Sequence, residues 1–428
     1  MHPIRLPNES MVGISVLLLF AAPLSAQTAS GDPAFGPVGF ATVAAYGVDH
    51  LTGGEKGQVV EVRTAQEFRN ACERADIGKK AAQHNAPRII RVMADIDLGE
   101  LANEPGGETL KNVGKVEVRS NTTILGGGEG ATIRHGMIDV HGAGNVIIRN
   151  LKFRDLWEAD PTGKYDRYGW DYIRITSSGK VPSHHIWVDH CDFGKCYDGQ
   201  LDITHGSDLV TVSWCHFSGD ERGAHKKSML IGHSSSPTAT ALDRGKLNVT
   251  LHHNWWQNIA DRAPRARSGN IHAFDNFVDG AENATISVSG AVTLVENCVY
   301  KDTRIATTFS HAKDNITNKL GGTICIVDSR NENPRPPNSD ADVEAEGGDD
   351  PAVTPKPDAH KEKDPNRAFE VANNFKSSVE RAALQFNAPA TWNWPDRNKL
   401  PYDYHPDPVD GVVALVSKSA GTGKAFEK

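Results

Sequence analysis

The chain is predicted to fold as an all-β, right-handed parallel β-helix, and three observations predict it. Six segments repeat one pattern: Asn145–Phe153, His185–Phe193, Leu209–Phe217, Asn248–Trp256, Gly269–Phe277 and Val292–Tyr300 each alternate apolar with polar residues and close on an aromatic. Alternation with a period of two marks a strand with one buried face. The closing aromatics are separated by 40, 24, 39, 21 and 23 residues, so three steps sit near one coil length and two read as a coil plus an inserted loop. A unit this short cannot bury its own apolar face, so neighbours must stack into a continuous core. Finally, 40 Gly and 23 Pro among 428 residues suit many short strands joined by turns better than long helices.

Residues 1–26 read as a secretory leader. Arg5 supplies a weak positive start, and Met11–Ala22 is apolar but too short for a membrane span, which needs roughly 20 residues. Leu24, Ser25 and Ala26 offer a cleavage site before Gln27. The expectation is a secreted protein with no membrane anchor. Residues 27–330 are assigned to the β-helix, with Val59–Val62 and Arg88–Val92 as early strands. Ala65–Ala75 between them reads as a short helix capping the solenoid end, where it would block edge-to-edge association. Gly126–Gly128 reads as a turn rather than a phosphate loop, because no helix-starting pattern follows. From Asp328 to Asp364 there are eleven acidic and five basic residues, several prolines and few aromatics, so 331–366 is expected to be a solvated loop. Residues 367–428 are expected to pack back on the β-helix.

Two positions before each closing aromatic stand Leu151, Cys191, Cys215, Asn254, Asp275 and Cys298, a row that coil stacking would bring to about 4.8 Å spacing. Cys191, Cys215 and Cys298 therefore read as small buried thiols. Cys72, Cys196 and Cys325 remain available for one disulfide. The chain has no CxxC pair, which argues against structural zinc. The net charge of −8 argues against a nucleic-acid partner. It is compatible with an acidic polymer only if basic groups and a cation are concentrated in one cleft.

Such a concentration is legible. Each coil carries an earlier strand: Asp171–Ile175, Gln200–Thr204, Ser228–Gly232 and the Arg262–Arg267 run. Side by side in one sheet, these would bring Asp171, Asp198, Asp202, Lys227, Arg262 and Arg267 onto one groove. Taken singly, Asp198 before Gly199 reads as a turn residue. As a set, three close carboxylates call for a cation, and all-oxygen ligands in an open groove favour calcium. His190 beside Asp189 reads as a hydrogen-bonded structural residue, and Trp256 as core.

Trp187–His190, Asp198–Ile203, Arg262–Arg267, Lys227–His233 and the closing Pro401–Lys424 segment resemble the pectate lyase superfamily over essentially the whole mature chain. The resemblance implies calcium-dependent β-elimination of α-1,4-linked polygalacturonate by a monomer. Asp171, Asp198 and Asp202 look like calcium ligands, Arg262 like the base, and Lys227 and Arg267 like contacts to substrate carboxylates. Asp198 stands where some members carry Glu, and Gly169 where some carry a further Asp. Arginine is an uncomfortable base, since its intrinsic pKa exceeds about 12. Neighbouring calcium, Lys227 and Arg267 would favour its neutral form. Rival readings are a calcium-independent lyase of methylated pectin, a β-helical hydrolase with paired acids, and a non-catalytic pectin-binding solenoid.

Overall fold

The computed structural model describes residues 36–74, 84–101, 114–156, 170–179, 181–196, 198–219, 225–309, 322–335 and 400–424. The leader segment, Gly169 and the acidic stretch beyond Arg335 lie outside them. Three parallel sheets stack one strand per coil, which makes the chain a parallel β-helix. A back sheet of ten strands runs from Gln58–Val62 to Thr323–Val327, and an aromatic sheet of nine runs from Ile96–Asp97 to Arg330–Glu332. A groove sheet begins at Lys115–Glu117 and passes through Met137–His141, Ile173–Thr176, Leu201–Ile203, Met229–Ile231, Arg265–Arg267 and Asn283–Val288.

The interior is a set of columns. Phe153, Phe193, Phe217 and Trp256 stack face to face with ring centroids 4.9, 4.7 and 5.1 Å apart. Each is at most 1 % exposed. Burying a Phe contributes about 1.5–3 kcal/mol, and a good ring pair about 0.5–1.5 more. The expected register then slips by one residue. Trp256 is paired with Val278, and Val278 with Tyr300, while Phe277 lies beside Trp255 on the outer face. An outward phenyl is tolerable there because Val412 and Val416 of the helix Val409–Ser419 cover it.

The same slip corrects the row expected beside it. Asn276, not Asp275, follows Asn254, and Leu151 donates nothing to the pattern. The Cys191 N–H bonds Cys215 Sγ at 3.4 Å, the Cys215 N–H bonds Asn254 Oδ1 at 3.0 Å, and the Asn254 N–H bonds Asn276 Oδ1 at 2.9 Å. Each side chain thus caps a backbone donor of the preceding coil, which a buried turn requires. All six cysteines are free and buried. The disulfide considered among Cys72, Cys196 and Cys325 does not form, because these thiols sit on the capping helix, beside Gly199 and on the last back strand.

The capping helix spans Ala65–Glu73, two residues shorter than expected. Thr64 and Glu67 close a capping box at its start, and Arg74 ends it with φ 63°. Phe68, Ala71 and Cys72 enter the main core. At the far side, residues 400–424 lie along the coils. Tyr402 and Tyr404 pack with Phe40, Leu294 and Cys325. Gly423 N–H reaches Asn150 Oδ1 at 2.8 Å. No helix among the described residues is long and apolar enough to cross a membrane.

Candidate active site

Register places the site. Ile173, Leu201 and Met229 are paired in adjacent groove strands, as are Ile175, Ile203 and Ile231. These apolar residues are fully buried, so the residues between them, Arg174, Asp202 and Leu230, face outward, as does Arg265 beside Leu230. Extended upstream, the same outward row contains Glu117 and Asp139. The groove strands also break twice. His225–Lys227 and Met229–Ile231 are separated at Ser228, and Ile259–Asp261 and Arg265–Arg267 at Arg262–Pro264. Lys227 and Arg262 lie at these breaks, and Arg262 takes the left-handed conformation with φ 72°. The Ala263–Pro264 peptide is cis.

A buried network underlies the first break. Trp256 Nε1 donates to Ser228 Oγ at 3.1 Å, Ser228 Oγ donates to Gln200 Oε1 at 2.7 Å, and Gln200 Nε2 donates to the carbonyls of Gly194 and Ser218 at 3.0 and 2.9 Å. Trp256 is thus the core residue the sequence indicated, with its indole N–H holding the floor beneath Lys227.

Five of the six expected site residues come together. Asp171 accepts the Gly199 N–H at 2.9 Å and is 3 % exposed. Asp202 accepts the Leu230 N–H at 3.3 Å, and Asp198 Oδ1 is 3.3 Å from Lys227 Nζ. A methyl group on Gly199 would stand 2.4 Å from Asp202 Oδ1 and 2.8 Å from Asp171 Oδ1, so only glycine leaves both carboxylates room. Arg262 Nε lies 3.6 Å from Asp261. Arg267 sits five residues further on, at the end of the strand Arg265–Arg267, and its Nη1 donates to the carbonyls of Gly232 and His233, both at 3.2 Å.

The electrostatics fit a cation. Burial, then the charges of Asp202 and Asp198, push the Asp171 carboxyl well above the usual range. Burial and Asp198 push Asp202 up to about 7 despite Arg262 and Lys227 nearby. Carboxylates crowded so that neighbouring charges raise Asp171 and Asp202 are relieved by a shared hard ion, and oxygen donors are what calcium takes. The triad is open rather than closed, because Asp198 turns toward Lys227. Among the described residues, three ligand atoms lie within 4.8 Å of one another in two places, neither of them the Asp171–Asp198–Asp202 set. In the first, Glu117–Asp139–His141, Asp139 is already saturated by Lys115 at 2.7 Å and by Arg174 through two 3.0 Å bonds. Burial opposes its charge, yet these two cations hold its pKa low. In the second, His253 Nε2 meets Asp407 at 2.9 Å, and Asp407 N–H donates to Asp275 at 2.9 Å, which fastens the C-terminal segment to the coils.

Sequence reasoning missed Arg174, Asp139, Arg265 and Asp261. A signal was available for Arg174 and Arg265, which lie within segments already identified from sequence, but not for Asp139 and Asp261, whose strands Met137–His141 and Ile259–Asp261 were not. His190 is buried with Nδ1 2.7 Å from Asp189, the structural role expected of it.

The model of the family described as pectate lyase matches residues 11–342. The chain belongs to the pectate lyase family. It is similar to pectate lyase B of Paenibacillus amylolyticus, with 27 % identity over 372 residues, 66 % of this chain and 90 % of that one. It shares 35 % identity over 270 residues with the pectate trisaccharide-lyase of Thermotoga maritima, 62 % of this chain and 63 % of that one. Among solved structures, a Bacillus pectate lyase in complex with trigalacturonate has a TM-score of 0.59 at 20 % identity, covering 91 % of this chain and 99 % of that one. A pectate lyase from a Paenibacillus species has a TM-score of 0.62 at 23 % identity, covering 92 % and 97 %. The solved structures share the fold of this chain, and the family match makes it a polysaccharide lyase.

Proposed function

We propose that this pectate lyase is secreted and cleaves α-1,4-linked polygalacturonate by calcium-assisted β-elimination, releasing unsaturated oligogalacturonides. The observation that carries the reading is the convergence of buried Asp171 with the half-buried Asp202 and Asp198, beside Lys227 and Arg262 at the strand breaks. Lone carboxylates there would suit a hydrolase. Carboxylates that raise one another beside fixed cations suit recognition of an anionic sugar through a metal. The trigalacturonate of the Bacillus relative is an oligomer of the same uronate. The leader-like residues 1–26 support secretion. Every assigned residue lies on this one chain, so a monomer suffices.

In this reading Asp171, Asp198 and Asp202 hold calcium, which when bound supplies positive charge to a uronate carboxylate. Lys227 binds the same carboxylate and stabilises the negative charge that grows on it as the adjacent proton leaves. Arg262, at the strand break, takes that proton from C5. The electron pair forms the C4–C5 double bond, the C4–O4 glycosidic bond breaks, and the departing oxygen takes a proton from water. Arg267 grips a substrate carboxylate further along the groove, its guanidinium held by the Gly232 and His233 carbonyls.

The test is absorbance of unsaturated uronide during incubation with polygalacturonate, with calcium and with chelator. The expected result is a rise with calcium that chelator abolishes and added calcium restores. A rise undiminished by chelator removes the metal and favours the lyase of methylated pectin. New reducing ends without absorbance mean hydrolysis, and binding alone means a non-catalytic solenoid.

A further inference from the structure

His205 and His233 stand two residues beyond Ile203 and Ile231, which are register partners on adjacent groove strands. Their rings stack with centroids 4.5 Å apart and planes at 25°. They adjoin the groove sheet: His205 Nδ1 lies 3.2 Å from Thr176 Oγ1 at the end of the strand Ile173–Thr176, and the His233 carbonyl accepts from Arg267 at the end of Arg265–Arg267. His205 is half-buried and His233 exposed.

The pair is built rather than incidental. His205 Nδ1 lies 3.0 Å from Thr204 Oγ1 and 3.2 Å from Thr176 Oγ1, which orients the ring and directs Nε2 away from those hydroxyls. The His205 carbonyl accepts the Ser177 hydroxyl, and the next residue, Gly206, donates its N–H to Asp243 at 2.7 Å. The His233 carbonyl accepts Arg267 Nη1. Gly232 lets Arg267 come this close, because a methyl group there would stand 2.5 Å from the Arg267 carbonyl; its φ of 84° also suits glycine. Burial first, then His233 and Arg174 beside His205 and Arg267 beside His233, push both imidazoles below their ordinary range and disfavour their charged form.

We propose that the stacked His205–His233 pair is a saccharide subsite on the flank of the groove, contacting the ring and hydroxyls of the uronate residue whose carboxylate engages Arg267. The exposed face of His233 offers a flat surface to the C–H face of a pyranose, and His205 Nε2 offers one hydrogen bond to a hydroxyl. An uncharged contact beside Arg267 divides the work: the guanidinium reads the carboxylate, and the imidazoles read the sugar. The pair follows the strands Leu201–Ile203 and Met229–Ile231, whereas Arg262 precedes Arg265–Arg267, so the pair contributes to binding and not to proton transfer. This assignment rests on the polygalacturonate reading above.

The experiment compares wild type with His233→Ala, His205→Ala and His233→Phe. It measures KM and kcat on polygalacturonate with saturating calcium and titrates trigalacturonate calorimetrically. His233→Ala should raise KM about three- to tenfold, the size of one lost ring contact, with kcat within about twofold. His205→Ala should do the same. His233→Phe keeps a flat ring and should keep KM within about twofold of wild type. Unchanged KM and trigalacturonate affinity in folded His233→Ala overturn the subsite, as does a fall in kcat alone. If His205→Ala does not fold, the His233 variants still decide. A wild type that neither cleaves polygalacturonate nor binds trigalacturonate overturns the lyase reading and this one with it. A wild type that does both beside an indifferent His233→Ala overturns only this one.

Discussion

Two columns of side chains run across the same coils and teach opposite lessons. In the aromatic sheet, Phe153, Phe193, Phe217 and Trp256 place like on like at a spacing near 5 Å, and the column is nearly dry. In the groove sheet, the row Glu117, Asp139, Arg174, Asp202, Leu230, Arg265 has the same coil-to-coil step but alternates in chemistry. A parallel solenoid repeats whatever it is given once per coil. For apolar rings that repetition adds packing at every step. For carboxylates it adds repulsion, which the protein tolerates only by interleaving cations such as Arg174 or by taking one from solution. Asp139 shows the first solution, and the proposed calcium site would give Asp202 the second. Asp139 is matched by Lys115 and Arg174 and its pKa is lowered, whereas Asp202 is left pushed up to about 7.

The contrast can be broken most sharply at Arg262. Arg262→Lys keeps the charge but loses the planar fork, so turnover should fall by at least about 10²-fold, as for a lost general base, with polygalacturonate binding largely kept. Arg267→Ala should instead raise KM more than it lowers kcat. Near-normal turnover in Arg262→Lys would sink the base assignment and move the question to Lys227.

In the packing column, Phe217→Ala removes a fully buried ring between Phe193 and Trp256. It should destabilise the protein by about 3–5 kcal/mol while leaving kcat of the folded fraction close to wild type. Denaturant unfolding together with initial rates reads both quantities. A rate loss without a stability loss would mean that the two columns are not separate.

The smallest effect is a pH dependence of calcium stabilisation. The folded-state pKa of Asp202, about 7, lies above its unfolded value near 3.9, so in metal-free protein its favourable contribution is complete below that unfolded value. The contribution is lost as pH rises toward 7, because the folded site then holds a charge it disfavours. Calcium should relieve this. The rise in Tm on adding calcium should be near zero at pH 4–5 and grow through pH 7 to a few degrees. A calcium effect independent of pH would argue that these carboxylates do not hold the ion.

Much of this was legible in the chain. The period-two pattern and the near-constant coil length led to the β-helix, because a strand that cannot bury its own face leaves few alternatives. The order of Asp171, Asp198, Asp202, Lys227 and Arg262 along successive coils placed the site, since register converts one coil of sequence into one strand spacing. The aromatic alignment failed at Phe277 because periodicity reports only that an aromatic recurs, not which face it takes. The helix Val409–Ser419, more than 130 residues away in sequence, covers Phe277 and makes the outward position acceptable. Which carboxylates are neutralised was equally a tertiary decision. Asp139 and Asp202 look alike in sequence, each on an outward strand position, and only the side chains that neighbouring coils bring alongside make one a finished ion-pair network and leave the other with its pKa raised. Sequence determined the repeat, because burial of alternate residues is a local demand; the tertiary structure decided the charges, because their energies depend on neighbours contributed by other coils.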